Sequence, residues 1–211
     1  MNKRKLYSWG EAEKKLSRKG QKRIEAILDT ARRVLTESGL GDFSMNKVAA
    51  KSGISLGNLQ YYFPKKKDLL YALLDSLLAP AAEHIQAAIS EQRGAGEDKQ
   101  LLKDILEYAF DSNKSDQNCA VVWNSTAMSL YDMEARAMLN DWYVQFRQLV
   151  VQAVRLYNPK LSKKRIESVT LFITATIEGH AMVWRYTVKN HNQLKRTKKE
   201  FIGHILQVVE G

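Results

Sequence analysis

In the stretch RIEAILDTARRVLTESGLG, residues 23–41, the apolar residues Ile24, Ile27, Leu28, Ala31, Val34 and Leu35 recur at intervals of three and four. That spacing is the period of an α-helix, so one face of the segment is apolar and has to be buried. Ser38 and Gly39 end it. Two shorter segments follow at once. Ser44 is placed to N-cap a helix that carries Met45, Val48 and Ala49 inward, Ser52 and Gly53 stop that helix, and Ser55 caps the next. The turns between these three helices are too short for anything but tight packing.

The same period runs through the rest of the 211 residues, and alternating strand patterns are scarce. The run 68–89 reads as a helix that bends or restarts near Pro80, and the GAGE of residues 94–97 marks a turn. A helix with Leu101, Leu102, Ile105, Leu106, Ala109 and Phe110 follows. The polar run 111–118 separates it from a helix over 120–130, and two long helices over 134–157 and 162–189 flank a break at Asn158 and Pro159. A last amphipathic helix puts Phe201, Ile205, Leu206 and Val209 on one side. The expected fold is all-α: an N-terminal three-helix domain followed by a larger C-terminal helical domain.

Charge divides the chain along the same line. Residues 1–70 hold 16 Lys and Arg against 7 Asp and Glu, whereas residues 71–211 hold 17 against 16. Nearly all of the net charge of +10 therefore sits in the first third. A polyanion is the natural partner for that third, with DNA leading and RNA or a membrane surface behind it. The best membrane-span candidate, 69–82, is interrupted by Asp75, and the basic N-terminus lacks the apolar run of a secretory signal. The single cysteine, Cys119, forms no intrachain disulfide, which fits a cytoplasmic protein.

Function concentrates in SGISLGNLQYYFPKKKDLL, residues 52–70. Wound at about 100° per residue, Leu56, Leu59, Tyr62 and Phe63 share one sector with Ser55 beside them. Gly57, Gln60 and Tyr61 face the other way, with Asn58 at the border. Glycine costs a helix about 1 kcal/mol, so an exposed face of glycine, amide and tyrosine suggests contact with something outside the chain. Glycine admits a close backbone, amides read base edges, and tyrosine hydroxyls bond phosphates. Two short helices joined by a glycine turn are the helix-turn-helix arrangement, whose second helix enters the major groove.

The segment FSMNKVAAKSGISLGNLQYYFPKKKDLLYALL resembles the helix-turn-helix of tetracycline-repressor-type (TetR family) transcriptional regulators, and the likeness is close over residues 22–74. The resemblance implies that Ser44 caps the first helix of the motif and bonds a phosphate. It places Asn46 and Lys47 near the DNA backbone, and Ser55, Gly57, Asn58, Gln60 and Tyr61 along the recognition helix. Tyr62 and Lys66 then hold phosphates. Gln60 stands where many relatives carry an aromatic residue, and Leu56 where a polar one is frequent. Residues 1–20 form a basic arm that either reaches DNA or is disordered away from it, 21–66 the DNA-binding domain, and 67–211 a domain for ligand binding and dimerisation.

In such regulators the C-terminal domain dimerises, which suits a palindromic operator, and binds a small-molecule inducer. The helices 134–157 and 162–189 are the dimer candidates. Their stripes, Met138, Leu139, Trp142, Phe146, Leu149, Ala153 and Tyr157 on one and Ile166, Val169, Phe172, Ile173, Ile177, Ala181 and Trp184 on the other, also suit an ordinary core. Trp123, Met128, Tyr131, Trp142, Tyr143 and Trp184 are the aromatic and sulfur candidates for an apolar or cationic ligand, with Glu178 and His180 as polar ones. His84, His180, His191 and His204 show no metal-binding spacing, and no phosphate loop or nucleophile elbow occurs, so neither catalysis nor a cofactor is expected. The reading is a homodimeric regulator of double-stranded DNA, a repressor released by a small molecule. A small-molecule-binding helical protein with a nonspecific basic domain is the alternative, and a nucleoid-type binder a second.

Overall fold

The computed structural model describes residues 17–90, 99–187 and 190–211. Residues 1–16 of the expected basic arm and the expected turn at 94–97 lie outside the described residues. Among the described residues there are nine helices and no strand, so the fold is all-α as the periodicity requires. They are α1 (Arg18–Asp42), α2 (Met45–Lys51), α3 (Leu56–Tyr62), α4 (Lys66–Ser90), α5 (Lys99–Ser112), α6 (Asp116–Ser129), α7 (Met133–Tyr157), α8 (Lys163–Thr187) and α9 (His191–Glu210). The chain forms two compact units, one of residues up to Ala79 with Asp116–Trp142, the other of Pro80–Ser115 with Tyr143–Gly211.

In the first unit, all six apolar residues of the opening period are buried. Phe43, Val48, Leu59, Phe63, Leu69, Leu70, Leu73 and Leu74 join them in the core. α6 packs along α1 and buries the small residues Cys119 and Ser125. The Trp142 indole N–H donates to the Leu74 carbonyl at 2.8 Å, and Arg32 donates to the Ser76 hydroxyl at 2.5 Å, which ties α1 to α4. Two backbone positions follow the sequence closely. Gly39, at φ +66°, leaves the helical region near the end of α1. Gly53, at φ +65°, closes α2 with two bonds, Ile54 N–H to Ala49 at 3.1 Å and Gly53 N–H to Ala50 at 3.2 Å. That pair of bonds is the Schellman arrangement, and its left-handed residue suits glycine.

Of the two alternatives expected at Pro80 the restart is absent, and the start of α6 differs from expectation. α4 continues as one helix through Pro80. α6 begins at Asp116, four residues before the expected start, because the polar run supplies helix as well as turn. Its Asp116 carboxylate lies in the first turn, where the helix dipole favours negative charge.

The second unit is built on Ile85, Leu102, Phe110, Val154, Ile173 and Ile205, with Val209 closing the end. Tyr157 donates to Glu210 at 2.8 Å, and burial with that contact raises the Tyr157 pKa to about 12. Asp111 is pushed up by burial, yet Lys114 at 2.6 Å and Lys198 at 2.9 Å hold it below the usual carboxylate range.

His180 is buried among the rings of Phe110 at 4.6 Å, Phe201 at 5.3 Å and Trp184 at 6.4 Å. Neither ring nitrogen has a hydrogen-bond partner among the described residues. Burial, helped by the charge of Lys114, lowers its pKa from 6.5 to about 4. Between those values the unfolded chain binds a proton that the folded one refuses, so stability is complete above pH 6.5 and lost as pH falls toward 4. The loss reaches up to about 3 kcal/mol. Thermal melting at pH 7 and pH 4.5 is expected to show a smaller drop in Tm for His180→Phe than for the native chain.

Candidate nucleic-acid interface

α2 and α3 are each seven residues long, too short to persist alone, so packing holds them. Leu59 and Phe63 are both fully buried, and they fix the rotation of α3 about its axis. Ser44 and Ser55 cap the two helices, accepting from Lys47 N–H at 3.3 Å and from Asn58 N–H at 3.1 Å. A hydroxyl that accepts in this way keeps its own proton for another acceptor.

With α3 so fixed, the opposite face is left open. Gly57, Asn58 and Gln60 are exposed, and Tyr61 is 74% exposed. Beyond the adjoining residues and the helix's own backbone, no heavy atom of the described residues lies within 4 Å of the position a Cβ on Gly57 would take, so no packing among them calls for a glycine there. Tyr62 is half-buried and sets its ring edge-on to Tyr61 at 5.1 Å. Leu56 is half-buried, Asn46 exposed.

The cations of this region are largely engaged within the chain. Lys47 donates to the Ser38 hydroxyl at 3.1 Å and lies 3.7 Å from Asp42. Lys51 pairs with Glu37, and Lys67 with Glu134 at 2.7 Å; each lysine holds its carboxylate below the ordinary range. Lys66 is drawn inward, its ammonium donating to the Leu40 carbonyl at 3.3 Å and standing 5.4 Å from the Phe43 ring centre. Burial lowers its pKa. Its remaining two donors are unused by that bond.

The expected ligand residues separate into the two units. In the first, Trp123 and Met128 are half-buried on α6, Trp142 is in the core, and Tyr131 is 91% exposed at the turn between α6 and α7. In the second, the Tyr143 hydroxyl bonds the Glu178 carboxyl, and burial raises the pKa of both. His180 and Trp184 share the aromatic cluster with Phe110 and Phe201. On α8, the expected dimer residues Ile166, Val169, Ile173, Ile177 and Ala181 are buried within their own unit. Phe172, also expected there, is exposed, and so are Leu171, Met182, Val183 and Tyr186. This second stripe was open to detection, since 171, 175, 179, 182 and 186 also follow the helical period.

Two serine-capped helices joined by a glycine turn, with an exposed polar face on the second, define a helix-turn-helix DNA-binding protein. Residues 27–73 match the sequence profile of bacterial regulatory proteins, tetR family. Those residues carry the DNA-binding domain of that family, and the chain is a DNA-binding transcriptional regulator. It is 24% identical over 164 residues to an uncharacterized HTH-type transcriptional regulator in the dhlA 5′ region of Xanthobacter autotrophicus, covering 76% of this chain and 78% of that one. Its fold is similar to Salmonella enterica GusR, with TM-score 0.68, 18% identity and coverage of 93% and 100%. A TetR transcription regulator from Haloarcula marismortui gives TM-score 0.64 at 19% identity, covering 87% and 97%.

The open space over Gly57 leads to a test. Gly57→Ala is expected to leave stability unchanged or raise it by up to about 1 kcal/mol, through helix propensity. DNA affinity is expected to fall by about tenfold if a phosphate backbone approaches there. Denaturation and fluorescence anisotropy on the same preparation separate the two effects. A variant that keeps full affinity shows that nothing comes within a methyl group of position 57.

Proposed function

We propose that the chain is a homodimeric repressor that binds a palindromic operator and is released from it by a small molecule. The observation that carries this reading is the outward face of α3, where Gly57, Asn58, Gln60 and Tyr61 have exposed surface while Leu59 is wholly buried. In this reading Gln60 and Asn58 meet base edges. Ser44, Asn46, Lys47, Ser55 and Tyr62 contact the backbone, Tyr61 packs along it, and Lys66 adds a phosphate to the bond it already gives Leu40. Residues 21–66 are the DNA-binding part and 67–211 the ligand and dimer part, with α4 carrying the ligand's effect from one to the other. The setting is cytoplasmic. Among the described residues no helix is long and apolar enough to cross a membrane.

Dimerisation is supported by the second stripe of α8. Ala175 and Gly179 lie on the same face as Leu171, Met182 and Tyr186, and both are exposed. Small residues flanked by large apolar ones let two helices approach closely, and a surface of this kind on a two-fold axis serves both copies at once. The inducer reading is supported in the second unit by the half-buried Tyr143 and Glu178 pair, where a raised carboxyl pKa gives a protein group that can turn anionic when a cationic ligand arrives. Trp184 beside His180 supplies an aromatic wall.

Selection of sites from random DNA is expected to return a sequence with two-fold symmetry, its half-sites about 34–36 Å apart. On that sequence, Gln60→Ala is expected to cost about 1–3 kcal/mol and to relax preference at one position in each half-site, whereas Tyr62→Phe weakens all sequences alike. A Gln60→Ala variant that weakens every sequence equally removes Gln60 from base reading. For the dimer, Leu171→Asp with Met182→Asp is expected to sediment as a monomer at concentrations where the native chain is a dimer. A native chain that sediments as a monomer overturns the α8 interface.

A further inference from the structure

The groove between α5 and α9, wholly inside the second unit, takes no part in the reading above. It encloses about 690 Å³, a size typical of small-molecule sites. Its α9 wall changes in chemistry along its length, while its α5 wall carries Lys103 and Glu107. Lys195 and Lys199 stand one turn apart near the start of α9, and Ile202, Gly203 and Leu206 continue along the same side of the groove. At about 1.5 Å of rise per residue, this stripe is about 16 Å long.

Neighbouring cations are already matched. Arg196 meets Glu200 at 3.9 Å, Lys198 meets Asp111 at 2.9 Å, and Lys103 on α5 meets Glu107 at 4.0 Å. Lys195 and Lys199 have no ion-pair partner among the described residues. Like charges four residues apart destabilise a helix, and an anion seated between them reverses the sign of that interaction. The other end is open in a different sense. Leu206 is only half-buried, and beyond the adjoining residues and the helix's own backbone no heavy atom of the described residues lies within 4 Å of where a Cβ on Gly203 would sit.

We propose that this groove binds an anionic amphiphile, with its carboxylate or phosphate head between Lys195 and Lys199 and its alkyl chain along Ile202, Gly203 and Leu206. An anion without a chain leaves the apolar end wet. An uncharged chain leaves the lysine pair unanswered. The stripe therefore selects molecules that carry both features, and it does so whether or not the DNA reading above is correct.

Calorimetric titration of the full chain with monomeric dodecanoate and dodecyl phosphate tests the site, with inorganic phosphate and dodecanol as probes bearing one feature each. Both amphiphiles are expected to bind at least about tenfold more tightly than either single-feature probe. Lys195→Gln with Lys199→Gln is expected to weaken them by about tenfold or more and to leave dodecanol unchanged. Gly203→Phe fills the apolar end and is expected to weaken them comparably. If Gly203→Phe fails to fold, the lysine variant decides alone.

Equal amphiphile binding by the native chain and the lysine variant overturns the proposal. So does inorganic phosphate binding as tightly as dodecyl phosphate, or retention on anionic vesicles without binding of monomeric amphiphile. A lysine variant that loses DNA affinity while keeping its amphiphile affinity assigns the cations to nucleic acid instead.

Discussion

At φ +65° Gly53 turns the chain through a left-handed residue, and the two backbone bonds it closes satisfy carbonyls at the end of α2 before α3 begins. An L-residue there carries a steric cost of about 1–2 kcal/mol. The turn brings Ser55 to the start of α3, where its side chain takes the Asn58 N–H. Leu59 and Phe63 then reach the core shared with α1 and α4. Once those two side chains are buried, helical pitch leaves no choice about Gly57, Gln60 and Tyr61. Their outward position is thus set by residues that never meet a partner, and the surface residues are free to be chosen for contact.

The period of residues 23–41, the serine caps and the two stopping glycines were all legible in the sequence, because each is a local demand of helix geometry or of φ. So was the rotation of α3, since one helical turn suffices to separate Leu59 from Gln60. The three lysines at 65–67 were not separable in this way. They are alike as residues, yet Lys66 bonds the Leu40 carbonyl and Lys67 pairs with Glu134, contacts that join positions 26 and 67 apart in the chain. Pro80 left two alternatives open for a similar reason. Local propensity allows either a bend or a restart, and α4 is one helix with Leu73, Leu74, Leu78 and Ile85 buried along it.

Around the helix-turn-helix, the concentration of charge does not translate into an equal density of free cations. Lys47, Lys51 and Lys67 each have a partner in the chain, and Lys66 is turned inward. These cases differ in strength. Exposed ion pairs contribute about 0–1 kcal/mol, so a phosphate can displace a carboxylate from Lys51 or Lys67 at little cost. Lys66 is partly desolvated, as its lowered pKa indicates, and keeping it charged already draws on the Leu40 carbonyl and the Phe43 ring. Such a lysine contributes to where α4 meets α1 before it contributes to any ligand.

α8 shows why an apolar period alone leaves function undecided. The helix carries two stripes with the same spacing, and the period alone does not say which of them the core takes. Ile166, Val169, Ile173, Ile177 and Ala181 are consumed by the core of their own unit. Leu171, Phe172, Met182, Val183 and Tyr186 remain, exposed on a helix whose buried side is already complete. Scattered apolar residues on a surface require no explanation, but five on one helix, arranged around Ala175 and Gly179, form a continuous patch. The core stripe answers to the monomer's stability, which accounts for its burial. The second stripe has no such claim on the monomer, and in the proposed dimer it is the part of α8 that joins the two copies.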